Sequence, residues 1–216
     1  MKSSSLLFLS WICLGETVLG EWVQPAKSTQ LTMSTTLHLS IADYDQMIAR
    51  GAFYHLNRKI ELIRGEVREM NPAGPIHDDL LIYLNHWSAI ATNPKEIRVA
   101  VQTGLSLAGQ QSRPEPDLMW VRAARYRQSH PTANDVKLAI EVSDSSLQAD
   151  LIEKAGLYAE AGIVEYWIVD AQGKCVHVFR EPEAGEYLSR SVAQVGELLS
   201  PIAPCSNPLD LKDLFE

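Results

Sequence analysis

The stretch from 137 to 170 constrains the fold more than any other. "KLAIEV" (137–142) is an apolar run with the composition of a buried strand, and it finishes on the carboxylate Glu141 and Val142 before turning polar at "SDSS". "SLQADLIEKAGLYAEAG" (146–162) follows, with Leu147, Leu151, Ile152, Ala155, Tyr158 and Ala159 at helical spacing and Gly162 as a stop. "VEYWIVD" (164–170) reads as a strand again and pairs with "CVHVFR" (175–180) as a hairpin around "AQGK". Strand, helix and hairpin in succession exclude an all-helical and an all-strand chain.

The rest of the pattern agrees. "SIADYDQMIARG" (40–51) is a short helix with a Ser cap, and "KIELIRGEVREM" (59–70) is a hairpin turning at Arg64-Gly65. Residues 76 to about 91 form an amphipathic helix on Leu80, Leu81, Leu84, Trp87 and Ser88, ended by Asn93-Pro94. Strands are expected in "EIRVAVQTGLSL" (96–107), "DLMWV" (117–121) and "EYLSRSVA" (186–193), with a short amphipathic turn or helix in "PLDLKDLF" (208–215). The expected class is α/β, an α+β mixed sheet flanked by helices, with antiparallel neighbours.

At 216 residues, with 46% hydrophobic and 21% charged residues, the chain can bury one sizeable core. We read 33–216 as a single domain and 1–32 as an N-terminal extension. "MKSSSLLFLSWICLGETVLGEW" reads either as a weak secretory signal or as an artefact of an upstream start, with translation beginning at Met33. Either way it is too short to span a bilayer. The net charge of -8 argues against a broad basic face for nucleic acid, although metal-binding carboxylates would themselves add negative charge. Cys13, Cys175 and Cys205 are isolated in sequence and suggest neither a disulfide framework nor a zinc knuckle, so a reducing, cytoplasmic setting is the default.

Alternation places Asp117, Met119 and Val121 on one face of their strand, and Glu141 with Ala139 and Lys137 on one face of theirs. If those faces meet, two carboxylates converge at one end of the sheet, where a hard divalent cation would relieve their repulsion. The plainer alternative is a loop-end aspartate and a strand-end ion pair. Many metal-dependent nucleases carry a lysine two residues beyond the strand-end acid, and here that position is Ser143. Lys154 falls at the rim of the following helix's apolar stripe, one turn after Asp150. It is either a surface lysine paired with Asp150 or a group reaching across to Glu141. In "EYWIVD", Tyr166, Trp167 and Ile168 read as core, against an alternative that puts Glu165 or Asp170 near a substrate. "RAARYR" (122–127) is the densest basic cluster, a solvated face or a phosphate contact.

"RPEPDLMWV", "AIEVSDSS", "ADLIEKAGLYAEAGIVEYWIVD" and "IELIRGEVREMNPAGPIH" together resemble the Uma-type endonuclease-like family of the PD-(D/E)XK nuclease superfamily, from about Ser40 to Arg180. The resemblance implies a restriction-endonuclease-like core and a Mg²⁺-dependent endonuclease acting on DNA, with Mn²⁺ as a substitute metal. It implies Asp117 and Glu141 as metal ligands, helped by the carbonyl of Val142, and Lys154 as the catalytic lysine supplied from the helix after the glutamate. Glu61 and His77 match positions near the site, and Asp150 would position Lys154. The family's S-P-S-T after the glutamate is S-D-S-S here, which motivates the rival reading of a catalytically inactive DNA-binding or interaction protein. A homodimer is expected, because a single acidic domain has little grip on a duplex.

Overall fold

Apolar alternation and helix caps carry the chain into a two-faced sheet layered by helices. The computed structural model describes residues 35–216, so the signal-like stretch, Met33 and Cys13 lie outside the described residues. Helix α1 (Ile41–Ala49) starts at a capping box, the Ser40 hydroxyl taking the Asp43 amide while the Asp43 carboxylate takes the Ser40 amide. Strands β1 (Ile60–Ile63) and β2 (Glu66–Glu69) form a separate hairpin. Its two turn residues both need positive φ, and Arg64 (50°) and Gly65 (81°) supply it.

Helix α2 (Pro75–Ala91) begins with proline at its first turn. Strands β3 (Ile97–Val101), β4 (Leu118–Arg122) and β5 (Val136–Ser143) follow. A continuous helical segment then comprises α3 (Leu147–Ala149), a π-helical turn (Asp150–Lys154) and α4 (Ala155–Glu160). Strands β6 (Glu165–Asp170), β7 (Cys175–Glu183) and β8 (Glu186–Gln194) lead to the two-residue strands β9 (Leu198–Leu199) and β10 (Leu209–Asp210) and helix α5 (Leu211–Phe215).

The main sheet has the order β3-β4-β5-β6-β7-β8. Its neighbours are antiparallel, as expected, except β5 and β6, which run parallel because the intervening helix returns the chain to the same end. Buried on both faces, β5 and β6 are the near-continuous apolar runs seen in the sequence. One face (Leu118, Trp120, Leu138, Trp167, Val176) packs on α2 and α5. The other (Met119, Ala139, Tyr166, Ile168, Phe179) packs on α4, Ile63, Leu105 and Leu107.

Two expectations shift. The strand at 96–107 ends at Val101, because Gln102 takes a left-handed φ of 44° and turns the chain out of the sheet. Ile152, assigned inward on a regular helical wheel, is 64% exposed, because the π turn interrupts the 3.6-residue repeat on which that assignment rests.

Trp87 of α2 lies against Trp120 and Trp167 of the sheet, with ring centroids 5.2 and 6.0 Å away. The buried indole N–H of Trp120 donates to Ser88 Oγ at 2.8 Å, which explains a fully buried serine on the apolar face of α2. Ser88→Ala orphans that donor and is expected to cost about 1–3 kcal/mol in urea denaturation; a loss near zero would show the bond to be dispensable.

Candidate active site

The C-terminal end of β5 opens into a cleft of about 720 Å³ between the β1–β2 hairpin, the start of α2 and the helical segment after β5. Glu61, His77, Asp117, Glu141, Asp150 and Lys154 all line it. Register sets its floor. Leu118 pairs with Ile140, so Asp117 lies one residue beyond the ladder beside Glu141, on the face shared with Met119 and Ala139. The two carboxylates named from alternation are therefore brought to one place.

Asp117 is held from two sides. Its Oδ2 accepts the Val142 amide at 2.9 Å, and its Oδ1 lies 3.1 Å from Nε2 of His77, one turn into α2. Burial would raise the Asp117 carboxyl, but the His77 ring and the Val142 amide outweigh it and hold the group below the ordinary carboxylate range. The same bond to Asp117 raises the His77 imidazole above its ordinary value, against the opposing effect of burial.

Glu141 is almost wholly enclosed. Its Oε1 accepts from Lys154 Nζ at 3.0 Å and from Tyr158 Oη at 2.9 Å, while Oε2 takes neither bond. Lys154 thus reaches across to the strand-end acid, and Asp150 Oδ1 stands 3.8 Å from the same ammonium. The lysine side chain is 14% exposed. Burial alone would lower its pKa, but Glu141, Glu61 and Asp150 together raise it, so it stays cationic. Burial pushes the Glu141 carboxyl up, with Lys154 opposing and Asp117 adding to the rise. Tyr158 is likewise pushed up, first by burial and then by Glu141, and remains a neutral donor.

Ser143 has its own task. Its hydroxyl donates to Asp150 Oδ2, which also accepts from Ser146 Oγ at 2.6 Å. Ser143, two residues beyond Glu141, thus fixes the acid that flanks Lys154. The altered turn is tied as well, with Gln172 Nε2 donating to Asp144 Oδ1 at 2.6 Å. Glu61 brings a third carboxylate to the cleft, its Oε2 3.4 Å from the Glu115 amide. In the sequence Tyr158 belongs to the apolar stripe, and its place one turn after Lys154 is the signal for its role beside Glu141.

Other candidates stand apart. Glu165 does not line the cleft; it is buried and bonded to Arg180, Trp167 Nε1 and the Ile202 amide. Asp170 also lies outside the cleft. In the basic cluster Arg122 pairs with Asp135, while Arg125 and Arg127 line a separate shallow groove with Arg98.

Carboxylate oxygens gathered at one buried sheet end, where Asp117 adds to the burial that raises Glu141 and only Lys154 opposes it, fit a hard divalent cation. Asp117 and Glu141 are the residues that would hold it, with Glu61 beside them. Among the described residues no helix is long and apolar enough to cross a membrane.

No curated protein sequence matches the chain. A solved structure titled as a "putative nuclease belonging to DUF820" from Anabaena variabilis is similar in fold. It has a TM-score of 0.63 and 16% identity, covering 82% of this chain and 97% of that one. The Uma2 family model, described as "Putative restriction endonuclease", matches residues 41–207. That span contains the six-stranded sheet, the helices α1 to α4 and every residue of the cleft, and the chain belongs to the Uma2 family.

Proposed function

We propose that the cleft hydrolyses phosphodiester bonds in DNA with Mg²⁺ as its cofactor, Mn²⁺ substituting, and that the enzyme works as a homodimer. The observation that carries this reading is the bond from Lys154 to Glu141, made from a helix, in a cleft that also holds Asp117. When bound, a divalent cation polarises a phosphoryl oxygen and acidifies a water.

Asp117 and Glu141 would hold the cation, with the Val142 carbonyl as a further oxygen donor. His77 keeps Asp117 ionised and aims it. Lys154 is kept cationic, so it serves as a donor and not as a proton acceptor. It orients the attacking water and stabilises the charge that builds on the phosphate. Asp150, fixed by Ser143 and Ser146, positions the lysine. Lys59 at the rim supplies positive charge for a flanking phosphate.

Nicking of supercoiled plasmid by the purified protein with Mg²⁺ or Mn²⁺ tests the reading. Asp117→Asn is expected to reduce nicking at least about 100-fold with the circular dichroism spectrum unchanged. Cleavage by this variant at the wild-type rate would remove Asp117 from the chemistry. Metal-independent retention of DNA without any cleavage would instead favour an inactive binding protein.

A further inference from the structure

On the same face of the sheet, on the next two strands, a second group of side chains converges outside the cleft. Asp170 ends β6, and Cys175 and His177 begin β7, directly across the hairpin. Ile168 separates the group from Glu141, being paired with Glu141 on one side and with His177 on the other. None of the three lines the cleft. We propose that Asp170, Cys175 and His177 form a second metal site, built for a zinc-class cation and independent of the nuclease centre.

The distances carry the proposal. Cys175 Sγ lies 3.8 Å from His177 Nε2 and 4.0 Å from Asp170 Oδ2, and the last two atoms are 3.9 Å apart. These three edges make a nearly equilateral triangle. The point at its centre lies one edge divided by √3, about 2.3 Å, from each corner; zinc bonds are about 2.3 Å to sulfur and 2.0–2.2 Å to nitrogen or carboxylate oxygen. Movements of a few tenths of an ångström close the set around an ion. Among the described residues, this is the group of three such side chains whose ligand atoms all lie within 4.8 Å of one another.

Hydrogen bonding accounts for the arrangement only in part: Cys175 Sγ lies at long sulfur hydrogen-bond distance from Asp170 Oδ2 and His177 Nε2, and its one S–H can serve only one of them. The His177–Asp170 separation is beyond hydrogen-bond range. A Cys-His-Asp relay is excluded too, because it needs the two ring nitrogens to face different partners, whereas Nε2 faces both here. Three ligand atoms within 4.0 Å of one another, joined by at most one long thiol bond, have the spacing of a coordination site.

The turn preorganises it. Asp170 Oδ1 accepts the Gly173 amide at 2.8 Å, which points Oδ2 at the sulfur and the imidazole. Any Cβ at Gly173 would overlap that Oδ2, so the carboxylate occupies the space a side chain would take. A sulfur and an imidazole beside one carboxylate select zinc-like ions over Mg²⁺ or Ca²⁺, which prefer oxygen. Binding displaces the thiol proton of Cys175 to solvent, leaving a thiolate on the metal. The partly exposed rim, formed by Asp170 and His177, leaves the fourth position to water.

The test uses the full chain without a histidine tag, stripped with chelator and then titrated with Co²⁺ and Zn²⁺. The proposal expects one equivalent of Co²⁺ to produce a thiolate-to-cobalt charge-transfer band that Zn²⁺ abolishes and excess Mg²⁺ does not. Cys175→Ser and His177→Ala should each remove the band, and Gly173→Ala should weaken Co²⁺ binding about 10–100-fold. Glu141→Gln, Cys13→Ser and Cys205→Ser should keep it. No band in the folded wild-type chain, or a band persisting in Cys175→Ser, overturns the proposal. If Cys175→Ser fails to fold, His177→Ala decides alone, since its side chain is partly exposed.

Discussion

Lys154→Met is expected to abolish plasmid cleavage and, independently, to lower the unfolding free energy by about 3–5 kcal/mol. The ammonium is buried against Glu141 at 3.0 Å with Asp150 beside it, so removing it leaves an enclosed carboxylate without its cation. The two effects separate in a double variant. Lys154→Met with Glu141→Gln replaces the pair by neutral groups of similar shape, which is expected to recover most of the stability while nicking stays absent. Urea denaturation reads the first quantity and plasmid nicking the second. A single variant that unfolds like the wild type would mean that water or another cation already satisfies Glu141.

The other large effect lies far from the cleft. Glu165→Ala is expected to cost about 3–5 kcal/mol, because one buried carboxylate satisfies three donors at once. Arg180 reaches it at 2.7 Å, the Trp167 indole at 2.9 Å and the Ile202 amide at 2.6 Å. At about 2–4 °C per kcal/mol, the melting temperature should fall by roughly 6–20 °C. Glu165→Gln keeps the shape and most of the acceptors, so it should fall much less. Equal losses from the two variants would show that volume, not the acceptor set, matters at this position.

Much of the site is legible in the sequence itself. Period-two alternation put Asp117 and Glu141 on faces that do meet, and the family pattern named the same two acids. Lys154 falls between two readings because a helical wheel fixes direction only for a regular helix, and this helix is not regular. Asp150 and Ser143 were harder still. Their roles depend on a hydrogen bond between a strand end and the second turn of a helix, which no local spacing encodes. Glu165 illustrates the opposite failure: a charged residue in an apolar strand suggests chemistry, and only the tertiary partners show that it binds the sheet to the segment around Ile202. The Asp170, Cys175 and His177 group escaped because metal signatures are sought as spacings along the chain, while here half the spacing runs across a hairpin.

The π turn at Asp150–Lys154 has one more consequence. A wider turn holds one residue more than the α-helix it interrupts, so it behaves as a built-in insertion. Its outward positions, such as the exposed Ile152, are free to drift through substitution. Its length is not. Losing one residue would restore regular winding and rotate the two halves against each other, so that either Asp150 or the Lys154–Tyr158 pair would leave the strand end. The segment that carries Lys154 to Glu141 is thus tolerant of substitution at its outward positions and locked against deletions.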